Sequence, residues 1–215
     1  MIIMINFQTN FRDSKPDLYL LPNFSATKAK CKFRIELVTQ ASDRRKEVEA
    51  FISNSYAINF QANLKSFFPI IITVIQKSNN KIVSALGLRY ADSEELFSES
   101  YLDKPIETLI RDKDNCFVNR KSIVELGNFA VGERDDVKKV LPTIARFIKS
   151  IKVDYLAYTL TTPIKAYFNF FNLELNHLAK ANLSDVNRAA DDWGIYYQLK
   201  PAVYFTNVSR NKHKI

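Results

Sequence analysis

Apolar residues recur along this chain in two rhythms, and the switches between them mark its elements. From 32 to 40, Phe33, Ile35 and Leu37 alternate with polar neighbours, which predicts a half-buried strand. Ser42 or Asp43 then caps a helix whose apolar positions Val48, Phe51, Ile52, Tyr56 and Phe60 follow a 3.6-residue period. Residues 70–76 are a β-branched run, Ser78-Asn79-Asn80 is a turn, and 82–89 completes a hairpin. The stretch 92–114 is polar and acidic, with helical segments over 96–101 and 106–110. A strand follows over 122–131. Val137, Val140, Leu141, Ile144, Ile148 and Ile151 then keep the spacing of an amphipathic helix, in which Pro142 predicts a kink or a late start. Residues 155–161 read as a strand. Pro163 opens a helix that stops near Asn172, a residue that tolerates the left-handed conformation. A strand over 173–178, a polar helix or loop to Trp193 and a last strand over 203–208 complete the order. A hairpin feeding a strand–helix–strand crossover gives a mixed sheet with helices on its faces, an α/β (α+β) architecture. Residues 1–30 hold Pro16 and Pro22 without sustained periodicity and read as an irregular arm. A single domain over 31–210 follows, and 211–215 read as a disordered basic tail.

Composition narrows the chemistry. No apolar run approaches the roughly 20 residues of a membrane-spanning helix, and the first residues do not read as a secretory leader. A cytoplasmic protein is therefore expected, with Cys31 and Cys116 as thiols rather than a disulfide. The two histidines, His177 and His213, lie far from either cysteine, so no metal-ligand spacing exists and no metal is expected. The net charge of +8 comes from 31 basic and 23 acidic residues. Much of it, such as Lys138, Lys139, Arg146, Lys149 and Lys152, alternates with apolar positions on one helix and reads as a solvated face. Nothing like a nucleic-acid motif accompanies it. Only four glycines occur, so Gly87, Gly127, Gly132 and Gly194 are each expected to have a conformational reason.

Several stretches carry a resemblance. They include Ala85-Leu86-Gly87-Leu88-Arg89, Tyr101-Leu102-Asp103-Lys104-Pro105-Ile106-Glu107, Ile123-Val124-Glu125-Leu126-Gly127-Asn128-Phe129-Ala130 and Asp191-Asp192-Trp193-Gly194-Ile195-Tyr196-Tyr197. In residue type and spacing they resemble the bacterial thermostable hemolysin family over about 35–208. The element order resembles the GCN5-related N-acetyltransferase fold and its relatives, the acyl-homoserine-lactone synthases. The resemblance implies an acyl-CoA N-acyltransferase-like (GNAT-like) domain with a mixed central sheet and helices on both faces. It implies an enzyme that moves an acyl group to a small amine, from acyl-CoA or from the pantetheine arm of an acyl-carrier protein, with no permanently bound cofactor. The alternative, suggested by the family's name, is a membrane-active hemolysin that acts directly on membranes without catalysis. The sequence lacks the long amphipathic barrel pattern that such a role needs.

The same resemblance assigns candidate residues. The strand over 122–131 is expected to carry a bulge that opens a donor cleft, and Gly127 fits a bulge. Phe129, Ala130, Val131, Gly132 and Arg134 are the donor-binding candidates, with Gly132 as the permissive residue of the loop. Glu133, Asp135 and Asp136 crowd the following helix start and repel a phosphate, which brings the carrier protein forward beside coenzyme A. Glu125, a carboxylate in an otherwise apolar strand, needs a partner or a function. By the resemblance it holds the acceptor's ammonium or takes its proton, and Asn128 orients the acyl carbonyl or the acceptor. As a structural residue it pairs instead with Arg89 or Arg120. Arg89, Tyr101, Arg120 and Trp193 are candidate substrate contacts. Phe168, rather than Tyr167, falls where many acetyltransferases place a tyrosine acid, and Phe168, Phe170 and Phe171 read as core. Trp193 with Tyr196 and Tyr197 reads as an aromatic plug or a substrate wall.

Overall fold

A computed structural model of the protein describes residues 32–133, 136–186 and 192–211; the N-terminal arm, Cys31, Arg134, Asp135, 187–191 and 212–215 lie outside the described residues. The β-branched run becomes β2 (Ile70–Gln76), paired antiparallel with β1 (Phe33–Val38) and with β3 (Ile82–Tyr90). Asn80 closes the β2–β3 turn with φ 60°, a conformation that asparagine adopts readily. β4 (Ile123–Val131) lies antiparallel to β3 and parallel to β5 (Tyr155–Leu160). β7 (Ala202–Asn207) and β6 (Asn176–Lys180) extend the sheet antiparallel, giving the order β1-β2-β3-β4-β5-β7-β6.

Helices cover both faces. On one, α3 (Val137–Ser150) lays Val140, Ile144, Phe147 and Ile148 over Ile72, Leu88 and Val124. α4 (Thr162–Phe170) joins it through Ile164 and Phe168. On the other, α1 (Arg45–Phe60) buries Val48 and Ile52 against Ile71, Ala85 and Ala130. Beside it, α2 (Ile106–Asp114) buries Ile106 and Ile110 against Ile123 and Phe205. The parallel β4–β5 pair needs a crossover, and α3 supplies it.

Some local expectations change. Ser42 does not cap α1: its Oγ accepts from the Thr39 N–H at 2.9 Å, and Arg44 occupies the cap position. α3 starts at Val137 and runs through Pro142, so its start is not delayed. The strand expected over 173–178 is β6, shifted towards the C-terminus. Asn172 does take the left-handed conformation after α4, at φ 52°. Asn211, expected in the disordered tail, is 1% exposed, and its Oδ1 accepts from the Glu174 N–H at 3.0 Å.

Candidate functional site

The sheet opens at its centre. β4 and β5 pair from Ile123↔Tyr155 to Leu126↔Tyr158 and no further, although both strands continue. The cause lies on the other edge of β4. Between Gly87↔Gly127 and Ala85↔Ala130, the single residue Leu86 opposes two, Asn128 and Phe129. This is a bulge, and a bulge bends its strand. Its left-handed residue is Asn128, at φ 47°, rather than Gly127.

Gly127 is small for a different reason. A Cβ there would stand 2.5 Å from Cζ of Phe68, and one on its partner Gly87 would stand 2.7 Å from Cβ of the same side chain. Phe68 lies flat on the glycine pair, and three further contacts lock it there. Its N–H donates to Asn128 Oδ1 at 3.0 Å, its carbonyl accepts from Arg45 Nη2 at 2.8 Å, and the Arg89 guanidinium stacks 4.5 Å from its ring centre. The Asn128 side chain, expected to orient a substrate, thus holds the loop before β2.

A cavity of about 360 Å³ passes through the opening. Towards α3 and α4 its walls are Leu126, Phe129, Leu141, Ala145 and Phe168; at the other end stand Tyr56, Phe60 and Tyr196. Those three aromatics belong to the α1 side, where Tyr196 packs 5.3 Å from Phe60 and 6.2 Å from Tyr56, centre to centre. The cavity therefore reaches both faces of the sheet. Burial raises the Tyr56 and Tyr196 phenols above their usual pKa, so both are hydrogen-bond donors at neutral pH. Phe168 and Phe171, expected in the core, line this space, while Phe170 is 64% exposed beneath the Lys138 ammonium.

Glu125 points to the α1/α2 face, as the alternation from Ile123 requires. It is 1% exposed, and its carboxylate accepts from the Phe97 N–H at 2.8 Å and the Ser98 N–H at 2.6 Å. Burial pushes its pKa up, and the Ser98 contacts, the Arg89 charge and the Phe97 N–H offset that only in part. No ion pair joins Glu125 to Arg89 or Arg120 among the described residues. Arg89 lies across from it in register, with Nε 3.3 Å from Glu94 Oε1 and Nη1 donating to the Glu95 carbonyl at 3.2 Å. Arg120 donates to Glu99 through Nη1 and Nη2, each at 2.7 Å, and through Nη1 to Glu107 at 2.7 Å.

Glu99 was missed in the sequence. It also accepts from the Leu96 and Ile106 N–H groups at 2.9 and 3.1 Å, tying the 3-10 turn Phe97–Tyr101 to the start of α2. Its only local signal is its place three residues after Leu96, the spacing of a capping box. Burial works against ionisation of Glu99, but Arg120 and the two N–H groups outweigh it and hold the carboxyl below its usual range. Tyr101 shares a 2.7 Å hydrogen bond with the Tyr197 hydroxyl, and burial, followed by that contact, raises its pKa. Trp193 packs among Phe97, Tyr196 and Tyr197 in tilted and edge-on contacts, so the predicted aromatic cluster exists and continues into the cavity wall through Tyr196. Gly194 seats this segment: it has φ +49°, and a Cβ would stand 2.2 Å from the Phe60 carbonyl oxygen.

Of the donor-binding candidates, Phe129 lines the cavity and Ala130 packs towards α1. Val131 is half-buried and accepts from Ser55 Oγ at 3.4 Å. Gly132 donates its N–H to the Val83 carbonyl at 3.0 Å, and a Cβ there would meet nothing closer than 3.8 Å, so that loop does not require a glycine. Arg134 lies outside the described residues. At the start of α3, Asp136 pairs with Lys139 at 2.9 Å.

Solved structures share this fold at low sequence identity. An N-acyl amino acid synthase from uncultured soil microbes, FeeM, superposes with a TM-score of 0.55 at 10% identity, over 82% of this chain and 92% of that one. The C-terminal condensation domain of Ebony, in complex with beta-alanyl-dopamine, gives 0.51 at 10% identity, over 81% and 99%. The CoA-dependent acyl-homoserine lactone synthase MesI gives 0.50 at 18% identity, over 81% and 89%. The fold is that of the GNAT-like acyltransferases. No curated protein matches the sequence. The sequence profile described as Thermostable hemolysin matches residues 38–211, nearly the whole folded part, and the chain belongs to that family.

Proposed function

We propose that the protein is an N-acyltransferase in which a pantetheine thioester enters the β4–β5 opening and an amine attacks it from the α1/α2 face. The observation that carries this reading is the cavity lined from both faces of the sheet, with Leu126 and Gly127 at the crossing. The amine nitrogen attacks the thioester carbonyl carbon, the carbon–sulfur bond breaks, and the amine's proton ends on the departing sulfur. Tyr56 and Tyr196 line the α1 end of the passage as neutral phenols, suited to donate to the carbonyl oxygen or the thiolate.

Glu125 and Asn128 are positioning residues in this reading. Glu125 fixes the Phe97–Ser98 backbone beside the Trp193 cluster, and Asn128 fixes Phe68 over the glycine pair. Arg89, Tyr101, Arg120 and Trp193 build the acceptor wall around them. A carrier-protein arm is favoured over coenzyme A as donor. The Gly132 N–H is already bonded, and Asp136 at the start of α3 opposes a pyrophosphate. The net charge of +8 suits an acidic carrier. Such thioesters belong to the cytoplasm, which is where we place the reaction.

Among the described residues no helix is long and apolar enough to cross a membrane, and no observation favours direct membrane lysis. The test is transfer itself. Purified protein is incubated with acyl-carrier-protein or acyl-CoA thioesters and a mixture of amines and amino acids, and new amides are read by mass spectrometry. An amide that forms with wild type and falls at least tenfold with Tyr196→Phe supports the proposal. No amide from either donor, with folded protein, sinks it.

A further inference from the structure

An N-acyltransferase requires an acyl group but not a particular one, and the cavity's shape selects among them. Its α3 wall is built on the stripe Val137, Leu141, Ala145 and Ile148, which runs from the first turn of that helix into its last, with Pro142, Ile144 and Lys149 beside it. At 1.5 Å per residue the stripe is about 17 Å long. The facing walls are Leu156 and Leu160 of β5 with Ile164 of α4. Three of the polar side chains that line the cavity are already bonded within the protein. Tyr158 and Thr206 hydrogen-bond each other, Thr206 Oγ1 also donates to the Glu174 carbonyl, and Asn211 Nδ2 donates to the Asn207 carbonyl.

Such a slot suits an apolar ligand: an apolar space of about 150 Å³ takes up benzene, and this one is about 360 Å³. An acetyl group leaves most of it vacant. At the opening the polarity changes. Thr159, the first β5 residue beyond the last β4–β5 pair, lines the cavity, and its Oγ1 is buried without a hydrogen-bond partner. A buried unpaired hydroxyl calls for a ligand atom, and here it stands where a thioester or pantetheine amide passes.

We infer that the acyl group is a medium- to long-chain fatty acyl chain seated along the α3 stripe, with the polar head of the donor held at Thr159. This rests on the acyltransferase reading, and binding and transfer are therefore measured separately. Acetyl-, butyryl-, octanoyl-, dodecanoyl- and hexadecanoyl-pantetheine are titrated calorimetrically into the protein. Affinity is expected to rise by about fourfold per added methylene until the slot is full, with acetyl-pantetheine the weakest ligand. Ala145→Trp, which fills the middle of the slot, cuts dodecanoyl binding far more than butyryl binding. Leu141→Phe does the same where the tryptophan variant fails to fold. Thr159→Val weakens every ligand by a similar factor of up to tenfold.

Flat affinity across the series, or an unchanged profile in both blocking variants, overturns the inference. Amide formation is then followed with the same donors. Chain-dependent binding without product keeps the inference and removes the acyltransferase reading. Product formed as readily from acetyl- as from dodecanoyl-pantetheine keeps that reading and removes the inference.

Discussion

The two faces of the central sheet handle the same β4 strand differently. On the α3/α4 face, Leu126 and Phe129 look into unfilled apolar space, and the helices close over it with aliphatic side chains. On the α1/α2 face, Gly127 is covered by Phe68 at van der Waals limits, and Glu125 is held by two N–H groups. One face is under-packed and the other over-determined. A site that must admit an apolar chain has no use for filling its own slot, whereas a site that must hold a polar acceptor needs fixed dipoles. The contrast is what the proposed passage between two unlike reactants would demand.

The sharpest way to break the contrast is to remove the ionic hub on the rigid face. Arg120→Ala strands the Glu99 and Glu107 carboxylates, of which Glu99 is only 9% exposed in its side chain. A loss of about 3 kcal/mol is expected in urea unfolding. Gly127→Ala comes next, at about 2 kcal/mol, because the new Cβ meets the Phe68 ring. On a Phe68→Ala background the same change is expected to cost less than about 0.5 kcal/mol, and a double-mutant cycle reads the coupling. On the open face, Phe168→Leu is expected to cost about 1 kcal/mol, since one side of that ring already abuts empty space. A loss as large as that of Arg120→Ala would mean that the slot is not open.

The smallest effect is a difference in pH dependence between two carboxylates of the rigid face. The Glu99 pKa is depressed, so its contribution to stability is present above its unfolded value and fades as pH falls through its folded one. The Glu125 pKa is raised, so its contribution is present below its unfolded value and is lost as pH rises through its folded one. Unfolding measured from neutral into acid should therefore fall less steeply for Arg120→Ala than for wild type. Glu125→Gln should be penalised more at acid pH than at neutral pH, because the charge it removes is disfavoured by burial. Equal slopes in all three proteins would mean that neither carboxylate is perturbed as its surroundings imply.

The element order was legible because each element carries its own pattern. The β-branched run of β2, the amphipathic stripe of α3 and the left-handed stop at Asn172 are local, set by periodicity and by what a backbone position tolerates. The resemblance in the β4 segment pointed to the strand that carries the bulge, and the scarcity of glycine pointed to Gly127. The reason offered for that glycine, however, was the bulge, and the bulge's left-handed residue is Asn128.

Tertiary structure alone decided the rest, because those features are meetings between distant residues. Phe68 finds Gly127, Glu99 finds Arg120 and Tyr101 finds Tyr197 only after sheet register and helix placement are set. No period in the sequence encodes such pairs. The same holds for the cavity. Leu126, Ala145 and Phe168 each read as ordinary core residues, and it is the end of β4–β5 pairing at Leu126↔Tyr158 that leaves room between them. Apolar pattern determined which side chains face inward, and the geometry of two diverging strands determined that their interior would stay open.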